Sequence, residues 1–426
     1  MEITEQNKEK VLLVAVARKG GNRNLVFEQL QELESLVDTA GAEVVEKIYQ
    51  ELEKPNPKTA IGKGKIQEIK EIIDEEGIKL VVFDDEITPT QVRNLETEWK
   101  IKVMDRSGLI LDIFAKHARS NEAKTQVELA QSQYLLPRLT RMWTHLSKQY
   151  GGIGTKGPGE TQIESDRRAL KTKIARLKEK LKEINIQKEQ QKKGRSDLPR
   201  FALIGYTNTG KSTLMNAITE ANVLVEDKLF ATLDTTVRAF NFPNGQKALL
   251  SDTVGFIRKL PAHLVASFRS TLAEASDADI IIHLVDITHP HYVDQINVVN
   301  HTLETLKLDK KPSLLVFNKI DGLENKDLIK SVDSAYPNSI FISATRGINL
   351  NNLLQKMQDK YDEQGKIIKF TLPYTDISKI NEIYSIGDIK ERKDTDTGIY
   401  FEVKITNDKI DLFFNRFSKI IIKDNT

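Results

Sequence analysis

Lys211 and Ser212 close the run Phe201-Ala-Leu-Ile-Gly-Tyr-Thr-Asn-Thr-Gly-Lys-Ser-Thr213. Its apolar start leads into Gly205, Tyr206, Thr207, Asn208, Thr209, Gly210, Lys211, Ser212 and Thr213, with helix-compatible residues Leu214–Ile218 beyond. The spacing is G-x-x-x-x-G-K-[ST] between a strand and a helix, the setting in which a phosphate-binding loop forms. Glycines let the backbone fold close to phosphate, so that its N–H groups point inward at a helix N-terminus. A lysine at 211 can bridge β- and γ-phosphates, and a hydroxyl at 212 can ligate Mg²⁺.

Three further stretches supply what such a site needs. Ser251-Asp-Thr-Val-Gly255 follows the β-like Ala248–Leu250. There Asp252 is the candidate carboxylate for holding Mg²⁺ through water, and Thr253 and Val254 lead to Gly255, whose N–H can meet a γ-phosphate. Leu314–Phe317 ends in Asn318-Lys319-Ile320-Asp321. A carboxylate at 321 accepts from guanine N1–H and N2–H₂, donors that adenine lacks, so a site built on it rejects adenine. Ile340-Phe-Ile-Ser-Ala344 adds a last strand and a turn, Ser343-Ala344-Thr345, suited to guanine O6. Four ordered motifs at strand ends point to a Mg²⁺-dependent domain that binds GTP and GDP and hydrolyses GTP.

Phe230-Ala231-Thr232-Leu-Asp-Thr-Thr236 lies where the first switch of such a domain belongs. Thr232 is favoured over Thr235 and Thr236 as the hydroxyl that meets Mg²⁺ and the γ-phosphate. Lys211, Thr232 and Gly255 are thus the candidate catalytic groups, and Ser212, Thr232 and Asp252 the candidate metal ligands. Phe256 stands where many regulatory GTPases carry a water-orienting glutamine. An apolar side chain cannot orient water, so intrinsic hydrolysis is expected to be slow, with a partner completing the site. His289-Pro-His291 has no further ligands nearby in sequence and reads as a loop, not a metal site.

The elements around these motifs suggest an α/β, multidomain chain. Residues 1–112 alternate strand-like runs (Val11–Ala17, Val44–Tyr49, Leu80–Phe83) with helical ones (Leu25–Thr39, Lys65–Glu76, Thr88–Trp99), which implies a parallel α/β sheet. Within it, Gly62-Lys63-Gly64-Lys65 is either a phosphate contact or a turn before a helix. Residues 113–197 change to long helix: Leu135, Leu139, Met142 and Leu146, then Leu170, Ile174, Leu177, Leu181 and Ile184, form apolar stripes of an antiparallel helical hairpin. Between Asp166 and Lys193 eleven Lys/Arg face four Asp/Glu, an excess of one sign that suits RNA phosphate. The joining loop, Tyr150-Gly-Gly-Ile-Gly-Thr-Lys-Gly-Pro-Gly-Glu160, holds five glycines in eleven residues, far more than a helix link needs. A loose tip on a stiff basic hairpin reads as a probe; a plain linker is the alternative. Residues 198–365 form the P-loop GTPase domain. Residues 366–426 read as β-α-β-β-α-β, a small ferredoxin-like α+β unit without a catalytic constellation.

Composition sets bounds. The chain has 426 residues, a formal charge of only +2 and no cysteines. Any nucleic-acid surface is therefore a local patch, and disulfide or thiol chemistry is excluded. Met1-Glu-Ile-Thr-Glu lacks a basic-then-apolar leader pattern, and no apolar run approaches the ~18–20 residues needed to span a bilayer. A cytoplasmic monomer without stable membrane insertion is expected, with peripheral membrane contact left open.

The sequence resembles the HflX GTPases, ribosome-associated members of the translation-factor-related P-loop class. The most specific match is Gly151-Gly152-Ile153-Gly154-Thr155-Lys156-Gly157-Pro-Gly-Glu-Thr-Gln-Ile-Glu164 running into Asp166-Arg167-Arg168. Asp105-Arg-Ser-Gly-Leu-Ile-Leu-Asp-Ile-Phe114, Glu128-Leu-Ala-Gln131, Leu135-Leu-Pro-Arg-Leu139 and Asp252-Thr-Val-Gly-Phe-Ile257 support it. The resemblance covers essentially the whole chain, least distinctively at its C-terminal end. It implies a GTP-dependent factor that binds the large ribosomal subunit and its rRNA, with ribosomal proteins as further candidate partners. Such factors split stalled or hibernating ribosomes into subunits under heat or antibiotic stress. It implies that the glycine-rich tip reaches towards the peptidyl-transferase centre, with Lys156, Arg167 and Arg168 on rRNA phosphate. This chain has Asp234-Thr235-Thr236 where many relatives have Asp-Pro-Thr. Rival expectations are a ribosome-assembly GTPase, an RNA-dependent ATPase or RNA remodeller working through the N-terminal domain, and a non-catalytic RNA-binding module.

Overall fold

The computed structural model describes residues 8–142, 158–192, 198–219, 229–230, 234–259, 273–325, 327–417 and 422–423. The architecture is α/β and multidomain, with two parallel-type sheets, a helical pair and a C-terminal antiparallel sheet.

The first sheet has the order β2-β1-β3-β4, from β1 (Lys10–Arg18), β2 (Glu43–Leu52), β3 (Leu80–Phe83) and β4 (Lys102–Asp105), with every pair parallel. Strand β1 is apolar at successive positions because both of its faces are covered. Leu12 and Val14 enter one core with Ile48, Ile69 and Trp99, while Val11, Leu13 and Ala15 enter the other with Leu30 and Leu33. Local chemistry sets the helix ends. Asn22 caps α1 (Arg23–Ala40), which stops at Gly41 with φ +85°. Thr88 and Gln91 form a capping box before α3 (Pro89–Trp99). The segment at Gly62 begins α2 (Lys63–Glu76): the Gly62 N–H donates to Gln50 Oε1 at 2.8 Å, and Lys65 pairs with Glu68.

Strand β4 and helix α4 (Arg106–His117) extend the unit past the expected limit at residue 112, which falls inside α4. Asp105 organises this corner: it accepts from the Gly108 N–H at 2.9 Å, the Tyr134 hydroxyl at 2.8 Å and Arg138 at 2.7 Å. Helix α5 (Asn121–Met142) is thereby rooted in the N-terminal core, where Ala123, Val127 and Ala130 pack beside α4. Helix α6 (Pro158–Lys192) runs back along α5, since Lys173 pairs with Glu128 while Lys180, further along α6, bonds Asn121, earlier on α5.

The stripe on α6 is as expected, with Leu177 buried and Leu170, Ile174, Leu181 and Ile184 half-buried amid exposed neighbours. The stripe on α5 is not. Leu135 is 47% exposed, because the inward face of α5 is set by small residues that let it approach α4 closely. Met142 and Leu146 have no described side chains, and the tip at 151–157 lies outside the described residues.

The second sheet has the order β10-β9-β8-β5-β7-β6. Its strands are β5 (Arg200–Gly205), β6 (Thr236–Asn241), β7 (Lys247–Asp252), β8 (Ile280–Asp286), β9 (Ser313–Asn318) and β10 (Ile340–Phe341), all parallel except β6 against β7. Phe201 and Leu203 enter one core and Ala202 and Ile204 the other, so β5 is central and buried on both faces. The third sheet, order β12-β13-β11-β14, joins β11 (Gly365–Pro373), β12 (Asp388–Thr395), β13 (Gly398–Thr406) and β14 (Ile422–Lys423), all antiparallel, over Ile383, Phe413 and Phe417. With helices 380–386 and 407–417 this is the split β-α-β topology. No helix among the described residues is long and apolar enough to cross a membrane.

Candidate functional site

The parallel strands place the motif ends on one edge of the second sheet, where open α/β sheets bind ligands. From β5 the chain enters the loop 205–210 and then α7 (Lys211–Thr219). Gly210 has φ +90°, and a side chain there would strike Asn318. Asn208, exposed at the loop tip, also takes a positive φ of 61°. Thr209 Oγ1 donates to the Tyr206 carbonyl at 3.0 Å, and Thr213 lies half-buried on the first turn of α7.

The chemistry-bearing side chains converge. Lys211 is buried, and its ammonium donates to the carbonyls of Tyr206 at 2.7 Å and Gly205 at 3.3 Å. Burial pulls its pKa down to about 8, with Asp252 opposing and Lys319 assisting the shift. The Ser212 hydroxyl donates to Asp252 Oδ2 at 2.6 Å. Burial pushes the Asp252 carboxyl up, against Lys211 and the Ser212 hydrogen bond, which favour the anion. Thr253 is fixed by donating to the Leu203 carbonyl at 2.6 Å, and Val254 is buried.

Gly255 sits where a Cβ would lie 3.0 Å from Lys211 Nζ and 2.8 Å from Thr207 Cα, so only glycine keeps this edge open. The Thr207 N–H donates to the Phe256 carbonyl at 2.8 Å, and the Phe256 N–H to the Gly205 carbonyl at 3.0 Å. This bridge fastens the 252–256 segment to the phosphate loop. The Phe256 ring is 3% exposed, sunk in the core shared with the N-terminal unit.

On the base side, Asn318 Nδ2 donates to the Thr209 carbonyl at 2.9 Å, and its Oδ1 accepts from the Ala344 N–H at 2.9 Å. Asn318 thus staples the phosphate loop to the Ser343-Ala344 turn. Lys319, with φ +67°, pairs with Asp286 at 2.7 Å. Asp321 is exposed in the one-turn helix Ile320–Gly322, and Ser343 is buried beside an exposed Thr345.

The residues present fit Mg²⁺ and nucleotide. Among the described residues Asp252 Oδ1 and Thr207 Oγ1 are buried without hydrogen-bond partners, a costly state for polar atoms unless a ligand is meant to meet them. A hydroxyl beside a carboxylate is an oxygen donor set suited to a hard cation. Of the remaining sequence candidates, Phe230 is buried against Phe114, whereas Ala231 and Thr232 lie outside the described residues. Arg167 and Arg168 are exposed on α6, where Arg168 pairs with Glu164 at 3.3 Å. They are not part of the nucleotide cluster.

Sequence reasoning missed a network binding this site to the N-terminal unit. The Tyr206 hydroxyl donates to Glu32 and accepts from the Arg258 N–H at 2.8 Å. Arg106 pairs with Glu32 at 2.8 Å and with Asp84 at 2.7 Å. Lys259 in turn contacts Asp84 and, at 2.6 Å, Asp85; these carboxylates hold its ammonium up although burial works the other way. Arg258 reaches Asp294 at 3.3 Å, and His291 pairs with Glu28. The signal available in sequence was Arg106 itself, a charge just ahead of the apolar Leu109, Ile110 and Leu111 and so in need of partners where that helix is buried.

Three family descriptions match in succession: "GTP-binding GTPase N-terminal" over residues 27–115, "GTP-binding GTPase Middle Region" over 117–195 and "50S ribosome-binding GTPase" over 200–319. The GTPase HflX of Flavobacterium psychrophilum is 48% identical over 84% of this chain and 91% of its own length. The GTPase HflX of Caldanaerobacter subterraneus subsp. tengcongensis is 42% identical over 95% of this chain and 93% of its own. A GTP-binding protein of the archaeon Sulfolobus solfataricus, solved with GDP, is 28% identical with a TM-score of 0.43, over 82% of this chain and 98% of that one. With relatives at this level along nearly its full length, the chain belongs to the HflX GTPase family and is a P-loop GTPase of GTP, GDP and Mg²⁺.

Proposed function

We propose that this GTPase binds the large ribosomal subunit and separates stalled or hibernating ribosomes into subunits under stress, with its GTP hydrolysis stimulated by the ribosome. The observation that carries this reading is the joining of one nucleotide site to one long basic helical pair. Helix α6 has 35 residues, about 52 Å of helix, and most of its surface away from α5 is exposed and rich in Lys and Arg. The description of the 200–319 match as a 50S ribosome-binding GTPase supports the same partner. We assign the working parts as the four units 1–112, 113–197, 198–365 and 366–426, with α4 and the root of α5 packed into the first, acting as a cytoplasmic monomer.

In the nucleotide site, Lys211 turns from the Gly205 and Tyr206 carbonyls to the β- and γ-phosphates. The N–H groups of Asn208, Thr209, Gly210, Lys211, Ser212 and Thr213 line the phosphate path, and the Gly255 N–H meets the γ-phosphate. Ser212, Asp252 and Thr232 would hold Mg²⁺, which would supply neutralisation of charge on the phosphate oxygens. Asp321 takes the guanine N1–H and N2–H₂, Asn318 fixes the loop that carries it, and the Ala344 turn serves O6. Phe256 orients no water, so the reaction awaits a group supplied by the ribosome. The 151–157 tip, with Arg167 and Arg168 behind it, makes the rRNA contact.

The test is sedimentation of mature joined ribosomes with protein and GTP, alongside a variant in which residues 151–159 are replaced by a short turn. Subunits should accumulate with the intact protein and not with the variant. Joined ribosomes left intact, with binding to immature particles instead, would replace this reading with one of subunit assembly.

A further inference from the structure

Asp234 stands in the stretch between the phosphate-loop helix and β6, yet its carboxylate lies at the N-terminus of α5. Asp234 Oδ2 accepts from the backbone N–H of Arg119 at 2.8 Å and of Ser120 at 3.2 Å, and the Ser120 hydroxyl donates to Oδ1. Ser120 is itself the cap of α5: its Oγ accepts from the Ala123 N–H at 3.0 Å and its carbonyl from the Lys124 N–H at 3.0 Å. Asp234 therefore places an anion on the N–H groups of Arg119 and Ser120, immediately ahead of the helix that roots the hairpin, where the helix dipole favours negative charge.

Both sides of this clamp lead to the nucleotide site or to the N-terminal core. Upstream, Phe230 is 3% exposed, with φ +58°, and meets the ring of Phe114 edge to face at 4.8 Å between centroids. Downstream, Thr236 opens β6 in register with Asp252, and Asp252 accepts the Ser212 hydroxyl at 2.6 Å. The α5 N-terminus, Asp234, Thr236, Asp252 and Ser212 thus form one continuous line, in which the longest free stretch is a single residue, Thr235.

We propose that Asp234 is a positioning residue that couples the bound nucleotide to the root of the helical hairpin. Its clamp belongs to the state in which Lys211 and Ser212 are engaged by the protein's own carbonyls and by Asp252. The γ-phosphate, which GTP has and GDP lacks, would meet Gly255 three residues beyond Asp252, move the Asp252–Thr236 pair and weaken the clamp. The proposal rests on the assignment of Ser212 and Asp252 as magnesium ligands, not on ribosome splitting. Coupling is reciprocal: if GTP weakens the clamp, the clamp must weaken GTP binding relative to GDP by the same factor.

The experiment measures the affinity of the full chain for GDP and for a non-hydrolysable GTP analogue, with Mg²⁺ and without ribosomes. Asp234→Ala removes the clamp. Ser120→Asp keeps a good helix cap and sets a second carboxylate against Asp234, repelling it. Both variants should raise the analogue-to-GDP affinity ratio about fivefold or more, the low end of typical couplings, with helix content by circular dichroism unchanged. A capping role alone would alter stability and leave the ratio where it was. An unchanged or lowered ratio in either folded variant overturns the proposal. Absence of nucleotide binding by the unaltered chain would instead overturn the assignment of the site.

Discussion

The phenol oxygen of Tyr206 accepts a hydrogen bond from the backbone N–H of Arg258 at 2.8 Å while donating to Glu32. One atom thus joins the second residue of the phosphate loop, the segment that follows Gly255, and the first helix of the N-terminal unit. Burial and the Glu32 carboxylate push this phenol far up from its usual range, so it remains a hydroxyl at every working pH. Beyond Glu32 the chain of contacts continues through Arg106 and Asp84 to Lys259. The N-terminal unit therefore packs directly against the phosphate loop and the segment after Gly255.

Arg106 is the keystone of that network, with a side chain only 2% exposed. Arg106→Ala leaves Asp84 and Glu32 with one partner fewer in a buried site. The expected loss is about 3–5 kcal/mol of stability, typical of a broken buried pair. Urea unfolding followed through tryptophan fluorescence, with Trp99 in the same unit, checks this. A loss below about 1 kcal/mol would contradict the packing described.

Lys211 gives a pH dependence with a definite sign. Its pKa in the free protein, about 8, lies below the ordinary 10.5. Between these values the unfolded chain binds the proton more tightly, so this residue's contribution to stability rises with pH through that window. Nucleotide phosphates favour the ammonium and draw the pKa back up. Binding of GDP or a GTP analogue near pH ~9 should therefore take up a proton and weaken as pH rises further. Calorimetry in buffers of different ionisation enthalpy reads this uptake. Lys211→Ala should lack it and lose about a hundredfold or more in hydrolysis, as when other preorganised electrostatic groups are removed.

Phe256→Gln would place the side chain type of regulatory GTPases beside Gly255, but the ring it replaces points into the shared core. The variant should not accelerate intrinsic hydrolysis, and it should lose about 2–4 kcal/mol through the lost apolar contacts and a buried amide. Single-turnover hydrolysis without ribosomes tests this. A gain of about tenfold, ~1.4 kcal/mol of barrier, would show that the glutamine reaches the site.

Asp321→Asn exchanges an acceptor for a group that can also donate, and an amide matches the 2-oxo group of xanthine. Preference should move from guanine to xanthine nucleotides, with GTP affinity falling by a hundredfold or more because base donors lose their partner. Competition binding with both triphosphates measures it. Unchanged GTP preference would remove Asp321 from the base site.

Much of this was legible in the sequence because it is local. The glycine spacing of 205–210, the run Val11–Ala17 and the helix over Thr88–Trp99 each carry their reason within a few residues. The same holds for the β-α-β-β-α-β order of the C-terminal unit, where strand and turn signals alternate cleanly. What escaped was long-range. Lys259 and Asp84 are 175 positions apart, and nothing near either names the other. The apolar stripe through Leu135 was misplaced because Ala123 and Ala130, with the buried polar Thr125, Gln126 and Ser132, carry little hydrophobic signal yet form much of the packed face of α5. The expected limit at residue 112 falls inside α4 for a related reason: Leu109, Ile110, Leu111, Ile113 and Phe114 lie on one helix that seals the N-terminal core under the hairpin.

The most direct measurement is steady-state GTP hydrolysis by the purified chain, alone and with purified large ribosomal subunits. Because the apolar Phe256 cannot orient an attacking water, slow turnover alone and a rise of a hundredfold or more with subunits is the predicted result, within the range that activating partners supply to P-loop GTPases. Equal rates with and without subunits, at subunit and salt concentrations that permit binding, would contradict a ribosome-activated GTPase.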